Sequence, residues 1–122
     1  MGPENQNNHR RTGHRYERAA EDYLVRKGYL ILERNWQAGH KEIDLIARKD
    51  NCVVFIEVKG SRTKQYGHPA ERVDISKRRN LVAAAEKYIT DKNLTGLDFR
   101  VDVITFHEGN FEHYENAFFV EE

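Results

Sequence analysis

The feature that most constrains the fold is a pair of strand-like runs between Glu42 and Lys59, separated by a short polar turn. The first run reads Glu-Ile-Asp-Leu-Ile-Ala and the second Val-Val-Phe-Ile-Glu-Val-Lys, with a polar turn at residues 48–51 and then Cys52 between them. Two apolar runs rich in β-branched residues on either side of a short turn predict a β-hairpin. The four consecutive apolar residues that open the second run are typical of a strand covered on both faces. The sequence therefore predicts a central hairpin in a sheet with layers on both sides.

Charged residues interrupt these predicted strands near one end. Because side chains alternate along a strand, Glu57 and Lys59 share a face and are ~6–7 Å apart along the chain. If the two strands pair, Asp44 converges with them at one end of the sheet. Two carboxylates and an ammonium group on rigid strands could form a divalent-metal site with a neighbouring positive charge. The spacing alone also fits a half-exposed ion pair between Glu57 and Lys59, so both interpretations stay open at this point.

Further motifs surround the hairpin in a defined order. They are Gly13-x-x-x-Glu17-x-x-Ala20, Gly28-Tyr29, Arg34-Asn35-Trp36, Glu42-Ile43-Asp44-Leu45-Ile46-Ala47, Phe55-Ile56-Glu57-Val58-Lys59 and Val73-x-x-x-Lys77. Asp44 followed by Glu57-Val58-Lys59 resembles the PD-(D/E)XK nuclease signature. The whole set, from about Gly13 to Phe106, resembles the YraN-like family of bacterial proteins. The chain departs from that family's pattern at Lys41 and in the spacing after Lys59, and neither departure removes a candidate ligand.

This resemblance implies a fold and a set of site residues. The expected fold is α/β (α+β) and restriction-endonuclease-like, with a central mixed β-sheet flanked by helices. Asp44, Glu57 and the Val58 carbonyl are the expected ligands of Mg²⁺ or Mn²⁺, and Lys59 is the expected catalytic lysine. PD-(D/E)XK proteins similar to Holliday-junction resolvases add a glutamate from the first helix, which makes Glu17 a further catalytic candidate. An exposed helix glutamate is the alternative for Glu17.

The distribution of charge indicates where nucleic acid could dock. The 122 residues contain 20 Lys and Arg and 20 Asp and Glu, so the net charge itself indicates no acidic partner. The segment from Lys59 to Arg79 is different, with seven basic and two acidic residues. A basic segment beside a metal site suits a phosphate backbone, and a solvated surface is the alternative. The expected nucleic-acid-binding residues are Arg62, Lys64, Gln65, Lys77 and Arg78.

Periodicity and turn residues divide the chain into elements. The predicted elements are a helix over Gly13–Lys27, a strand over Tyr29–Trp36, the central hairpin, a helix over Val73–Asp91, a strand over Phe99–Phe106 and a last strand or extended tail over Phe111–Val120. A helix between the third strand and the next predicts parallel pairing of those two strands. Residues 1–12 are predicted to be a flexible tail, and residues 13–122 a single domain.

Two charged residues outside the hairpin have particular predicted roles. Lys77 lies on the buried row of its helix and in the first turns, where a positive charge is unfavourable for the helix dipole. Its charge is therefore expected to be used, either in a pair with Glu57 or Asp44 or in binding phosphate. A surface lysine whose stem packs on the helix is the alternative. Asp102, in the predicted strand over Phe99–Phe106, is interpreted as structural.

Two classes of function follow from these residues. The first is a metal-dependent nuclease that hydrolyses phosphodiester bonds in DNA, with branched or single-stranded intermediates as candidate substrates. The second is a nucleic-acid-binding or scaffold protein with the nuclease fold but without useful turnover. Cys52 is the only cysteine and no long apolar segment is present, so a cytoplasmic protein without a membrane partner is expected. The oligomeric state is left open, with a homodimer as one option.

Overall fold

Five β-strands form one mixed sheet with a helix on each face, in a computed structural model that describes residues 15–61, 75–107 and 109–117. In chain order the elements are α1 (residues 15–26), β1 (Leu30–Ala38), β2 (Lys41–Lys49), β3 (Cys52–Ser61), α2 (Ile75–Asp91), β4 (Asp98–His107) and β5 (Asn110–Tyr114). The strands lie side by side in this same order. The predicted succession of a helix, three strands, a second helix and two strands is confirmed.

The pairing of the strands follows from how they are connected. Short turns join β1 to β2, β2 to β3 and β4 to β5, and each of these pairs is antiparallel. The connection from β3 to β4 contains α2, and these two strands are parallel because a parallel pair needs a crossover. The predicted parallel pairing and the predicted fold class, a mixed sheet flanked by helices, are therefore confirmed.

Two apolar clusters cover the two faces of the sheet. The α2-side core contains the buried residues Ile43, Ile46, Val53, Phe55, Leu81, Ala84, Ala85, Tyr88, Val101 and Val103. The α1-side core contains Ala20, Leu24, Tyr29, Leu45, Ala47, Val54, Ile56 and Ile104. The run Val53–Ile56 contributes to the two cores alternately, which explains why four consecutive residues of β3 are apolar.

Strand β2 is irregular at Asp44. Ile43 packs in the α2-side core and Leu45 in the α1-side core, although residues two apart in a regular strand face the same side. The neighbouring strand is irregular at the same level, because Asn35 lies between the partners of these residues and has a left-handed φ of 50°. Asn adopts this conformation more readily than most residues. Simple alternation therefore does not predict which side Asp44 faces.

The element boundaries agree with the predicted ones except at the end of the chain. The prediction over Phe111–Val120 was a last strand or an extended tail, and the structure forms a strand, β5, that ends at Tyr114. There the chain turns, with Asn116 at a φ of 51°, and the Ala117 N–H donates to the Val101 carbonyl at 2.8 Å. The predicted tail, the first residues of both predicted helices and residues 118–120 lie outside the described residues, as do Arg62, Lys64 and Gln65. Across the described part, neither helix combines the length and the apolar character needed to span a membrane.

Candidate active site

The centre of the candidate site is the point where β2 and β3 separate. The ladder between these strands runs from Lys49 opposite Cys52 to Leu45 opposite Ile56 and ends there. Beyond this point β2 continues beside β1, and β3 continues beside β4. Asp44 and Glu57 are the next residue on each strand. The sheet therefore opens between two carboxylates, and backbone groups that would have paired across the ladder are left for other partners.

Asp44 takes over one of these backbone groups. Its Oδ2 accepts a hydrogen bond from the Val58 N–H at 2.8 Å, which ties β2 to β3 just past the last paired residues. Burial and then the negative charge of Glu57 raise the pKa of Asp44 to about 7, although the hydrogen bond from the Val58 N–H opposes both. The charges of Glu17 and Glu42 add to the increase. A largely buried carboxyl group close to three other carboxylates is held by a surplus of negative charge.

Glu57 is the most deeply buried of these acids and already has a cationic partner. Only 7% of its side chain is exposed, and its Oε1 lies 2.5 Å from Lys77 Nζ at the start of α2. Although partial burial by itself lowers the pKa of Lys77, the hydrogen bond and the charge of Glu57 hold that pKa above its usual value. Of the roles predicted for Lys77, the pairing with Glu57 is the one the structure contains.

Lys59 lies on the same face of β3 as Glu57. The register between β3 and β4 has no shift from Cys52 to Ser61, so side chains alternate regularly here. Val58, between the two charged residues, packs against the α1-side core, which puts Glu57 and Lys59 on the face covered by α2. Lys59 is partly buried, and the ion pair of Glu57 is with Lys77 instead of Lys59. The alternative of an ion pair within β3 is therefore not realised.

Glu17 joins this group of acids through Asn35. With its side-chain amide oriented so that the nitrogen faces the acceptors, Asn35 Nδ2 donates to the Glu17 carboxylate at 3.1 and 3.3 Å and to Glu42 Oε1 at 3.2 Å. The amide thus links α1 to β2 beside Asp44. No role was predicted for Asn35 or Glu42, although both belong to motifs that surround the hairpin. The signal was the Asn itself, since the left-handed backbone conformation at position 35 favours this residue type.

An open cleft lies beside these acids, between α1 and β1. Its volume is about 390 Å³, and it shares Glu17 and Asn35 with the acidic group. The Glu21 carboxylate and Arg34 form an ion pair across it. Of the acidic group, Glu17 is the carboxylate that lines this cleft. The lining residues are Glu17, Arg18, Glu21, Asp22, Arg34, Asn35 and Leu45.

The residues of the site fit a hydrated divalent ion better than a tightly held one. Within the described residues, no three His, Cys, Asp or Glu side chains are arranged to hold a metal ion by themselves. Mg²⁺ does not require this, because it keeps several waters and binds through one or two carboxylates. Asp44 and Glu57 would supply two hard oxygen ligands at a point where carboxylates repel one another. Their chemistry suits Mg²⁺ or Mn²⁺, with Lys77 as the protein's own cation beside Glu57.

Asp102 is separate from this site and forms a network of its own. It is fully buried and accepts hydrogen bonds from Arg100 Nε at 2.8 Å and from the Asn116 N–H at 2.9 Å. His113 Nε2 lies 2.6 Å from its Oδ2, and the Tyr23 hydroxyl lies 2.9 Å from His113 Nδ1. Although burial alone raises the pKa of Asp102, the bonds from His113, Arg100 and Asn116 hold it below its usual value. The network joins α1, β4 and the end of the described chain, which agrees with a structural role.

Some of the predicted site residues contact one another in the structure, and others lie apart or outside the described residues. Asp44, Glu57, Val58, Lys77 and Glu17 form or adjoin one group of contacts, and Lys59 shares the face of Glu57. Arg78 follows Lys77 on α2. The remaining basic residues proposed to bind nucleic acid lie outside the described ranges, so their role stays a prediction.

The fold and this group of residues are compatible with the restriction-endonuclease-like class. A helix precedes a mixed sheet, and the acids lie where the central strands separate. The family description "Uncharacterised protein family UPF0102" matches residues 16–106, and the chain belongs to this family, which is the YraN-like family that its motifs resemble.

Relatives from several bacteria resemble this chain over most of its length. A UPF0102 protein of Chloroherpeton thalassium is 41% identical over 116 residues, which cover 90% of each chain. A UPF0102 protein of Clostridioides difficile is 36% identical over 113 residues, covering 91% of this chain and 99% of the relative. A UPF0102 protein of Thermotoga neapolitana is 44% identical over 102 residues, which cover 80% of this chain and 92% of the relative. These descriptions name a family and no reaction.

Proposed function

We propose that the protein is a metal-dependent nuclease that hydrolyses phosphodiester bonds in DNA, with branched or single-stranded intermediates as substrates. The observation that carries the proposal is the pair Asp44 and Glu57 at the opening between β2 and β3. Burial, together with the repulsion between these two acids, raises the pKa of Asp44 to about 7. Such a perturbed carboxyl group, one residue from Leu45 in the lining of an open cleft, is typical of functional sites.

Each residue has a distinct part in the proposed reaction. Asp44 and Glu57, with the Val58 carbonyl, would hold Mg²⁺ or Mn²⁺ through oxygen atoms. The ion supplies Lewis-acid activation of the phosphodiester and of a water molecule. Lys59, on the face of Glu57, orients or deprotonates the attacking water, or offsets the charge that develops on the phosphate. Glu17, linked to β2 through Asn35, is proposed to contribute to a second cation position.

DNA is the proposed partner because of the charge around the start of α2. Lys77, Arg78 and Arg79 are consecutive there, and the preceding connection adds Arg62 and Lys64. Such a cluster attracts a phosphate backbone and makes binding sensitive to salt. The cluster is next to Glu57, since Lys77 contacts it directly.

One observation favours a second candidate, a nucleic-acid-binding or scaffold protein without turnover. The ion pair between Lys77 and Glu57 already neutralises the most buried acid of the candidate site. A site neutralised in this way can bind DNA through its basic residues without cleaving it.

The deciding experiment compares wild type with Lys59→Ala on branched, nicked and single-stranded DNA, with Mg²⁺ and with chelator. We expect Lys59→Ala to fold and bind DNA as wild type does but to lose about a hundredfold in metal-dependent cleavage, the scale for one preorganised electrostatic group or general base. Lys49→Ala is the matched control, because it removes a lysine at the opposite end of the paired strands. Equal cleavage by wild type and Lys59→Ala, or cleavage that survives chelator, contradicts the nuclease mechanism. DNA binding without cleavage by wild type selects the second candidate.

A further inference from the structure

Lys77 is the cation that lies closest to the buried acid of the candidate site. Its Nζ contacts Glu57 Oε1 at 2.5 Å, and Asp44 and Glu42 lie within its electrostatic reach. The two partners differ in exposure, because 7% of the Glu57 side chain is exposed against 50% of the Lys77 side chain. The acid is therefore held in place, whereas the lysine reaches it from solvent on a flexible stem.

The position of Lys77 on its helix is unfavourable except for this contact. It lies in the first turn of α2. The helix begins at Ile75, and its first turn contains no acidic residue. The positive end of the helix dipole repels a cation there. Arg78 and Arg79 follow directly and add like charge. Of these three residues, Lys77 is the one that the structure places on Glu57.

We propose that Lys77 is a positioning residue: it is the counter-ion of Glu57 in the metal-free protein, and it leaves Glu57 when a divalent cation binds between Asp44 and Glu57. This inference rests on the proposed function, because it takes these two acids as the metal ligands. Two cations beside one buried carboxylate repel each other at short range. Glu57 cannot turn away from the ion without losing its packed position, and the half-exposed lysine can.

The exchange has a consequence for substrate binding. Once released, the Lys77 ammonium joins Arg78 and Arg79 at the start of α2, where the predicted phosphate contacts lie. Metal binding would thus convert an internal ion pair into an additional phosphate-binding charge. The metal ion and the DNA would then bind cooperatively, because metal binding releases the Lys77 ammonium and the DNA phosphates bind it.

The test is a calorimetric titration of Mn²⁺ into wild type, Lys77→Met and Lys87→Met at pH 8.5, above the pKa of about 7 of Asp44. Lys87→Met is the matched control, because Lys87 lies on the same helix, is 59% exposed and pairs with Asp91. We expect Lys77→Met to bind Mn²⁺ about two- to fivefold more tightly than wild type, the scale of an ion pair with one exposed partner. Lys87→Met should bind as wild type does.

Each result decides between the two proposals. Equal or weaker binding by Lys77→Met, in a protein whose Mn²⁺ affinity still depends on Asp44→Asn and Glu57→Gln, overturns the exchange and leaves the metal site intact. If neither wild type nor any variant binds Mn²⁺, the proposed function fails together with the inference. Should Lys77→Met not fold, the Lys77 Nζ signal of wild type is followed by NMR as Mg²⁺ is added. We expect the signal of a hydrogen-bonded ammonium to be lost, and its persistence at saturating Mg²⁺ overturns the exchange.

Discussion

Asp44 Oδ2 accepts a hydrogen bond from the Val58 N–H at 2.8 Å, across the point where the two central strands separate. This bond follows the strand ladder, whose last pair is Leu45 opposite Ile56. It also holds a largely buried carboxyl group beside Glu57, which is nearly fully buried. The protein therefore keeps two repelling acids together by means of backbone hydrogen bonding, which is an arrangement suited to binding a cation.

The first prediction concerns pH and the stability that Asp44 confers. Because the pKa of this carboxyl is raised from 3.8 to about 7 in the folded protein, the folded state binds more protons than the unfolded state between these values. The contribution of Asp44 to stability is therefore complete below pH ~4 and is lost as pH rises through ~7. Without metal, wild type should lose stability relative to Asp44→Asn across this window, on the order of a few kcal/mol. Urea unfolding at several pH values measures it, and parallel pH profiles would contradict it.

The second prediction concerns Asn35, whose amide nitrogen lies between Glu17 and Glu42. Asn35→Asp places a third carboxylate there and should destabilise the protein by about 1–2 kcal/mol at pH 8, because a donor becomes a like charge. Asn35→Gly is the matched control, since it removes the amide and retains the left-handed φ of 50°. We expect the Asp variant to approach the Gly variant in stability at pH 4, where its added carboxyl is protonated. A pH-independent difference between them would argue against the proposed contacts.

The third prediction concerns the contact of Gly60 with Tyr16. A Cβ added to Gly60 would lie 2.1 Å from Tyr16 Cε2, and the Tyr16 ring stacks on Phe106 with centroids 5.1 Å apart. Gly60→Ala should therefore destabilise the protein by about 1–3 kcal/mol, the usual cost of overpacking. In a Tyr16→Ala background the same substitution should cost much less. A double-mutant cycle by thermal denaturation measures this coupling, and a cost that is equal in both backgrounds would remove Tyr16 as its cause.

The fourth prediction concerns Asp102, the fully buried carboxylate paired with Arg100. Replacing it leaves the buried side of Arg100 without its anion, so Asp102→Ala should destabilise the fold by about 3–5 kcal/mol. The pKa of Asp102 is lowered in the folded protein, so its contribution is complete above pH ~4 and is lost on acidification through the folded pKa. Urea unfolding at pH 7 measures the loss. Where Asp102→Ala stays folded, Mn²⁺ binding should match wild type, and a large loss of affinity would place Asp102 in the metal site.

The fifth prediction concerns the basic segment and DNA. Neutralising Arg62, Lys64 and Arg78 together should flatten the salt dependence of DNA binding by up to ~3 in the slope of log K against log salt, about one unit for each phosphate that is no longer neutralised. Fluorescence anisotropy over a range of NaCl concentrations measures the slope. A control that neutralises Lys49, Lys87 and Lys92 removes the same charge from outside the segment and should leave the slope nearly unchanged. Equal effects of the two triple variants would show that only net charge matters.

The sequence predicts contacts between site residues that are close along the chain better than contacts between residues on different strands or helices. Glu57 and Lys59 share a face of one strand, and the strand period alone predicts this. The pairing of Asp44 with the Val58 N–H could not be predicted, because it depends on where the ladder between β2 and β3 ends. The resemblance supplied Glu17, but the amide of Asn35 that holds it became apparent only when α1 and β1 were packed together.

The sequence by itself determined the elements, their two apolar faces and the parallel pairing of β3 with β4, because side-chain period and connection length act over a few residues. It also determined the family, through motifs spread over most of the chain. Only the tertiary structure decided which charges meet: Lys77 with Glu57, Asn35 with Glu17, and His113 with Asp102. These partners lie on different elements, so their contact depends on strand register, strand irregularity and helix packing, and the burial that this packing creates is the largest cause of the raised pKa of Asp44.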